Sequence, residues 1–148
     1  MPGLDDLYRE IILDHYRSPR NRGQLEPPAA HAVGHNPLCG DEIEVFLAVQ
    51  DGVVSDIKVG GQGCSISQSS ASMMSQAVKG KSIDEVRALV RRFKSMMSIE
   101  EPDTEPAVDV KLGDLEALQG VVKFPVRIKC AVLAWNTLTE ALATATAE

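Results

Sequence analysis

Three cysteines and one aspartate are the residues of this chain best suited to act together. Cys39 and Asp41 fall in Asn36-Pro37-Leu38-Cys39-Gly40-Asp41, a soft sulfur and a hard oxygen separated by one glycine. Cys64 follows the run Gly60-Gly61-Gln62-Gly63, and Cys130 lies between Lys129 and Ala131. Three thiolates and a carboxylate make four ligands. That number suits tetrahedral zinc, or an iron–sulfur cluster with one non-cysteine ligand. Oxygen binds a soft metal less strongly than sulfur does, so Asp41 reads as the labile ligand of a site that lets its cargo leave. Plainer readings stand beside this one: cysteines as small buried hydrophobes, glycines that only make turns, and an aspartate that only caps one. His35, four residues before Cys39, is a further candidate ligand but reads more simply as a strand end. His15 and His31 have no cysteine near them in sequence.

The elements that must position these residues follow from periodicity. Leu4, Leu7, Tyr8, Ile11 and Ile12 predict a helix over 4–17, ended by Ser18-Pro19 because a proline disfavours the α conformation in the residue before it. A turn-rich loop follows, then a weak strand over 31–35 and a clear one over 42–50, where Ile43, Val45, Leu47 and Val49 alternate with their neighbours. Asp51-Gly52 is a two-residue type I′ hairpin signal, and 53–59 returns with Val53, Ile57 and Val59 on one face. These make a three-stranded antiparallel meander. A helix over 65–79 carries Ile66, Ser69, Ser70, Met73, Met74 and Ala77 as one stripe and ends at Gly80. Ser82 and Glu85 form a capping box before an amphipathic helix through Phe93 and Met97. The acidic, proline-bearing segment 99–112 reads as an exposed loop, 114–118 as a short helix, 120–127 as extended, and 128–145 as the last helix.

On this layout Cys39 sits in a turn, Cys64 at a helix start and Cys130 in the first turn of the last helix, none of them on a core stripe. Gly40 gives its turn access to left-handed φ, and the glycines before Cys64 let the backbone pass close to whatever that sulfur holds. Helix N-termini and neighbouring cations favour thiolates, and Arg127 and Lys129 flank Cys130; the plainer reading of both is exposed helix charge.

Composition sets the class. The chain has 148 residues, 44% hydrophobic and 24% charged, as a globular domain does. It reads as a single domain over 1–148, of α+β class, with helices packed on one face of the sheet. The net charge of −6 argues against a nucleic-acid partner, and no run approaches the roughly 18 apolar residues of a membrane span. The N-terminal Met-Pro-Gly-Leu-Asp-Asp lacks a signal peptide's basic and apolar regions, so the expected location is the cytoplasm, where the cysteines stay reduced.

At the cysteines the sequence resembles the IscU-type iron–sulfur cluster assembly proteins, most closely their SufU branch. The resemblance rests on Asn36-Pro37-Leu38-Cys39-Gly40-Asp41, on Gly63-Cys64-Ser65-Ile66-Ser67-Gln68-Ser69-Ser70-Ala71-Ser72, and on Phe124-Pro125-Val126-Arg127-Ile128-Lys129-Cys130. Leu7 to Tyr16, followed by Pro19-Arg20-Asn21, also fits this branch. It implies a small antiparallel sheet packed on helices. It implies sulfur received as persulfide from a cysteine desulfurase, with Cys39, Asp41, Cys64 and Cys130 as ligands to zinc or a nascent [2Fe–2S] cluster, and Cys39 as the sulfur acceptor. The scaffold branch has His before the third cysteine where this chain has Lys129, which leaves Asp41 as the natural fourth ligand. It also has a chaperone-read Leu-Pro-Pro-Val-Lys segment where this chain has Phe124-Pro125-Val126-Arg127.

The expected function is therefore an iron–sulfur assembly protein that accepts sulfur and binds metal, acting with a desulfurase and with apo iron–sulfur acceptors rather than as a stand-alone enzyme. Arg127 and Lys129 would support the anionic sulfur. The alternative is a structural zinc module that only mediates protein binding. A Cys39–His35 hydrolase has no oxyanion-hole motif to support it.

Overall fold

The computed structural model describes residues 2–27, 29–37, 40–97 and 112–145. Helix α1 spans Pro2–Arg17, followed by strands β1 Ala30–Asn36, β2 Asp41–Gln50 and β3 Val53–Gln62. Helices α2 Ser65–Val78 and α3 Ile83–Met96 come next, then a 3₁₀ helix Gly113–Lys123 and helix α4 Pro125–Ala145. The strands form an antiparallel meander in the order β1-β2-β3. Asp51 and Gly52 both have positive φ, +55° and +75°, as the type I′ hairpin requires. The register pair Asn36↔Asp41 ends the β1–β2 ladder on the side of the sheet where β2 begins.

Ile43, Val45 and Leu47 are buried as their alternation predicts. The bulge between Ala48 and Val49 changes the face beyond it: Val54, not Val53, is buried in β3, and Val53 is exposed. A bulge puts one extra residue on one strand, which shifts every later side chain to the other face. On the sheet's other face Phe46 is covered by the ring of His31, stacked 4.3 Å away. Helix α4 packs on β1 and β2, α2 on β3 and α4, and α1 on α2 and the 3₁₀ helix. Trp135 of α4 stacks on Phe93 of α3 at 4.4 Å in the centre of the core.

Helix α2 departs from its predicted single stripe. Every residue from Ser67 to Ser75 is buried, because α2 lies between the sheet, α4 and α1. Serine suits that place, being small and able to return its hydroxyl to a nearby carbonyl. Ser69 donates to Ile66 O, Ser75 to Ser72 O and Ser70 to Ala131 O of α4. Ser70 also accepts the indole N–H of Trp135 at 3.1 Å.

The C-terminal part differs from the sequence reading in two respects. The short helix expected over 114–118 is a longer 3₁₀ helix, Gly113–Lys123, and α4 begins at Pro125. The extended run expected over 120–127 does not form. Proline supplies a helix-ready φ and no N–H, so it opens α4 at a position where no donor is needed. Of the segment 99–112 read as an exposed loop, all but Leu112 lies outside the described residues, and Leu112 is buried. The capping box is present as read: Glu85 N–H donates to Ser82 Oγ, and Ser82 N–H to Glu85 Oε1.

Candidate metal centre

The site is built where β2, the start of α2 and α4 meet. Asp41 opens β2 with its side chain inward, 2% exposed. Cys64 is the N-cap of α2, with φ −71° and ψ 165°, so its amide points out of the helix end. That amide donates to Asp41 Oδ1 at 2.8 Å and leaves Oδ2 turned to the Cys64 sulfur, 3.8 Å away. Gly63, at φ +152°, makes the approach possible. A Cβ there would collide with Asp41 Oδ1 and lie 3.0 Å from Asp41 Cα. The glycines before Cys64 thus bring the backbone up to the carboxylate. Gly40, at φ +69°, holds the left-handed turn before Asp41.

Cys130 enters from α4. Because that helix starts at Pro125, Cys130 falls in its second turn, not its first, and it is fully buried rather than at an element's end. The dipole of the helix start therefore acts on it less than on Cys64. Asp41, Cys64 and Cys130 each offer a ligand atom, and these atoms lie within 4.8 Å of one another. Cys64 and Cys130 are free thiols. A tetrahedral ion with bonds of about 2.3 Å to sulfur and about 2.0–2.2 Å to oxygen separates those two ligands by about 3.5 Å. The 3.8 Å between Cys64 Sγ and Asp41 Oδ2 is close to that edge, so the donor set fits such an ion. Cys39 lies outside the described residues.

The two flanking cations fall on different sides. Arg127 lines an open groove with Cys64, Tyr8, Ile12 and Phe124, whereas Lys129 lines a hollow with His35, Asn36 and Asn136. Both side chains are exposed. His35 is an exposed strand-end residue and is not among the converging ligands. His15 is buried and ties three elements together, bonding Ser72 of α2 at 2.8 Å and Asp114 of the 3₁₀ helix at 3.3 Å. An ionised Asp114 can only accept, so Nε2 of His15 carries the proton, and in the neutral ring Nδ1 accepts from Ser72 Oγ, which in turn accepts the amide of Arg20. Burial holds the His15 pKa below its ordinary value.

Sequence reasoning missed the residues that support the ligands. Asn36 donates to Cys130 Sγ at 3.6 Å. Ser67 Oγ, buried in α2, bonds Cys64 O at 3.1 Å and lies 3.8 Å from its sulfur. Gln68 donates to Ser67 and accepts from Arg22, which also donates to Gly61 O of the glycine run at 2.6 Å. The one sequence signal was position: Asn36 opens the motif, and Ser67 and Gln68 follow Cys64 by three and four residues.

The NifU-like N-terminal domain family matches residues 7–131. The chain belongs to that family. It is an iron–sulfur cluster assembly protein of the IscU/SufU type. It is 47% identical to the zinc-dependent sulfurtransferase SufU of Bacillus subtilis, over 95% of this chain and 92% of that one. It is 42% identical to the iron–sulfur cluster assembly scaffold protein IscU of Streptococcus pyogenes serotype M1, over 94% of this chain and 84% of that one. Its fold matches the crystal structure of the N-terminal part of a nitrogen-fixing NifU-like protein from Brucella abortus with a TM-score of 0.82, at 28% identity and covering 98% of each chain. Among the described residues no helix is long and apolar enough to cross a membrane.

Proposed function

We propose that this IscU/SufU-type protein accepts persulfide sulfur from a cysteine desulfurase at Cys39 and binds metal through Cys39, Asp41, Cys64 and Cys130. The observation that carries this reading is the convergence of Asp41, Cys64 and Cys130 from three separate elements to within 4.8 Å. Chain connectivity keeps the Cα of Cys39 within about 7 Å of that of Asp41, close enough for a fourth ligand. The metal is zinc, in line with the name of the 47% identical relative. Identity to a protein named as a scaffold favours a second reading, in which a [2Fe–2S] unit is assembled on the same residues as cargo.

Sulfur transfer is balanced without an outside oxidant or reductant. The Cys39 thiolate attacks the outer sulfur of the donor persulfide, a new S–S bond forms at Cys39, and the donor cysteine leaves as thiolate with the electron pair of the broken bond. A thiolate held by metal is a weaker nucleophile, so Cys39 must be freed first. Asp41, the hard oxygen, or Cys39 itself would be the ligand displaced. Arg127, which lines the groove with Cys64, and Lys129 would offset the charge that gathers on sulfur.

The alternative of a purely structural zinc module requires folding that depends on metal. The Phe93–Trp135 centre and the sheet's inner face form a core of their own, which supports a metal-free protein that stays folded. The whole chain, 1–148, acts as one domain in the cytoplasm, with a desulfurase and apo iron–sulfur proteins as partners and no nucleic acid.

The test is metal analysis of the purified protein beside Cys39→Ser and Asp41→Ala, together with transfer of labelled sulfur from cysteine through a desulfurase. The expected result is zinc near one equivalent in the native protein, and labelled sulfur that Cys39→Ser does not take up. Sulfur uptake unchanged in Cys39→Ser would falsify the acceptor role. A stable cluster passed to an apo-ferredoxin, without zinc-dependent stimulation of the desulfurase, favours the scaffold reading.

A further inference from the structure

We propose that Asn36 is a positioning residue of the metal centre, holding the sulfur of Cys130 through an N–H···S hydrogen bond. This rests on the metal-binding reading above. Asn36 ends β1 and is the register partner of Asp41, so the two side chains leave the sheet on the same face. Both are buried, at 6% and 2% exposure. From this one strand pair the carboxylate turns to Cys64 and the amide to Cys130, 94 residues away in sequence, at 3.6 Å.

The chemistry of the bond suits a metal-bound sulfur. Cys130 Sγ also lies 3.8 Å from Val126 O, one turn back in α4. A thiol can donate to that carbonyl. A thiolate that has released its proton to bind metal cannot, and then needs donors instead. The Asn36 N–H is such a donor, fixed in place by the end of the sheet. It aims a sulfur lone pair toward Asp41 and Cys64, and it draws electron density from the sulfur. Donors to the ligands of a metal commonly change affinity ten- to a hundredfold.

The experiment uses the full chain. Cobalt(II) is bound to native protein and to Asn36→Leu, which keeps the size of the side chain and removes the donor. Affinity is read by competition with a chelator, and the sulfur-to-cobalt charge-transfer bands by absorption. The expected result is binding about tenfold weaker or more in Asn36→Leu, with the bands moved to lower energy and the circular dichroism of the metal-free protein unchanged. Equal affinity with bands in the same place overturns the proposal. Because Asn36→Leu can fail to fold, a second measurement uses native protein loaded with ¹¹³Cd, in which an Asn36 side-chain amide proton is expected to couple to cadmium through Cys130. Coupling of cadmium to the Cys130 β protons without coupling to Asn36 also overturns it. Native protein that shows no charge-transfer bands and no coupling to Cys130 overturns the metal centre itself, a separate failure.

Discussion

The backbone N–H of Cys64 donates to Asp41 Oδ1 at 2.8 Å, so one oxygen of the carboxylate is anchored and the other, Oδ2, is presented to the sulfurs. A carboxylate fixed in this way would offer a metal one oxygen, and its hold on a soft ion would be weaker than a thiolate's.

From this it follows that Asp41→Cys makes the centre more retentive. Release of zinc to a chelator is expected to slow at least tenfold, while sulfur uptake from a desulfurase falls. Stopped-flow release with a chromogenic chelator reads the first effect. Release as fast as in native protein would remove the case for Asp41 as the yielding ligand.

Gly63 and Gly80 both have positive φ, but only Gly63 is crowded. Gly63→Ala must move Asp41 as well as strain the backbone, whereas Gly80→Ala meets nothing within 4 Å. Alanine at Gly80 is expected to cost about 1–2 kcal/mol from backbone strain alone and to leave metal affinity unchanged. Gly63→Ala should cost more and lose metal. Denaturant titration and chelator competition on the pair separate the two effects.

Ser70 satisfies the indole N–H of Trp135 inside the core. Ser70→Ala strands that donor and should destabilise the protein by about 1–3 kcal/mol. Adding Trp135→Phe removes the stranded group, so the double variant should lose less than the sum of the two single variants. Urea unfolding followed by circular dichroism measures this cycle.

His15 gives the protein a pH dependence away from the metal. Burial lowers its folded-state pKa below the ordinary 6.5, and the hydrogen bond to Asp114 raises it by less. Just below pH 6.5 the unfolded chain therefore binds more protons than the folded one. Stability from this group is complete above that pH and declines as pH falls toward the folded pKa. In metal-free protein, His15→Gln should flatten the slope of unfolding free energy against pH in that window. Thermal melts across pH 5 to 8, a range of about three units around the histidine pKa, provide the measurement.

What the sequence determined by itself is local. Asp51-Gly52 makes its hairpin because both residues tolerate positive φ, and Ser82 with Glu85 caps α3 through atoms three residues apart. The alternation of Ile43, Val45 and Leu47 fixes an inner sheet face, since a strand's side chains reverse at every step. Cys39, Asp41 and Cys64 stood out by residue type beside glycines, because ligands and tight turns each leave a mark in a few neighbouring positions. Only the tertiary structure decided what depends on distant chain. The run 120–127 before Cys130 read as extended, yet α4 starts at Pro125 and Cys130 lies a turn deeper and fully buried. The pattern of α2 showed a single stripe, Ile66, Ser69, Ser70, Met73, Met74 and Ala77, yet the sheet, α1 and α4 bury every residue from Ser67 to Ser75. Asn36 carries no local signal beyond opening the motif of the first cysteine, and His15 carries none for its role. Their partners are 94 and 57 residues away, and a hydrogen bond across such a separation leaves no spacing in the sequence to read.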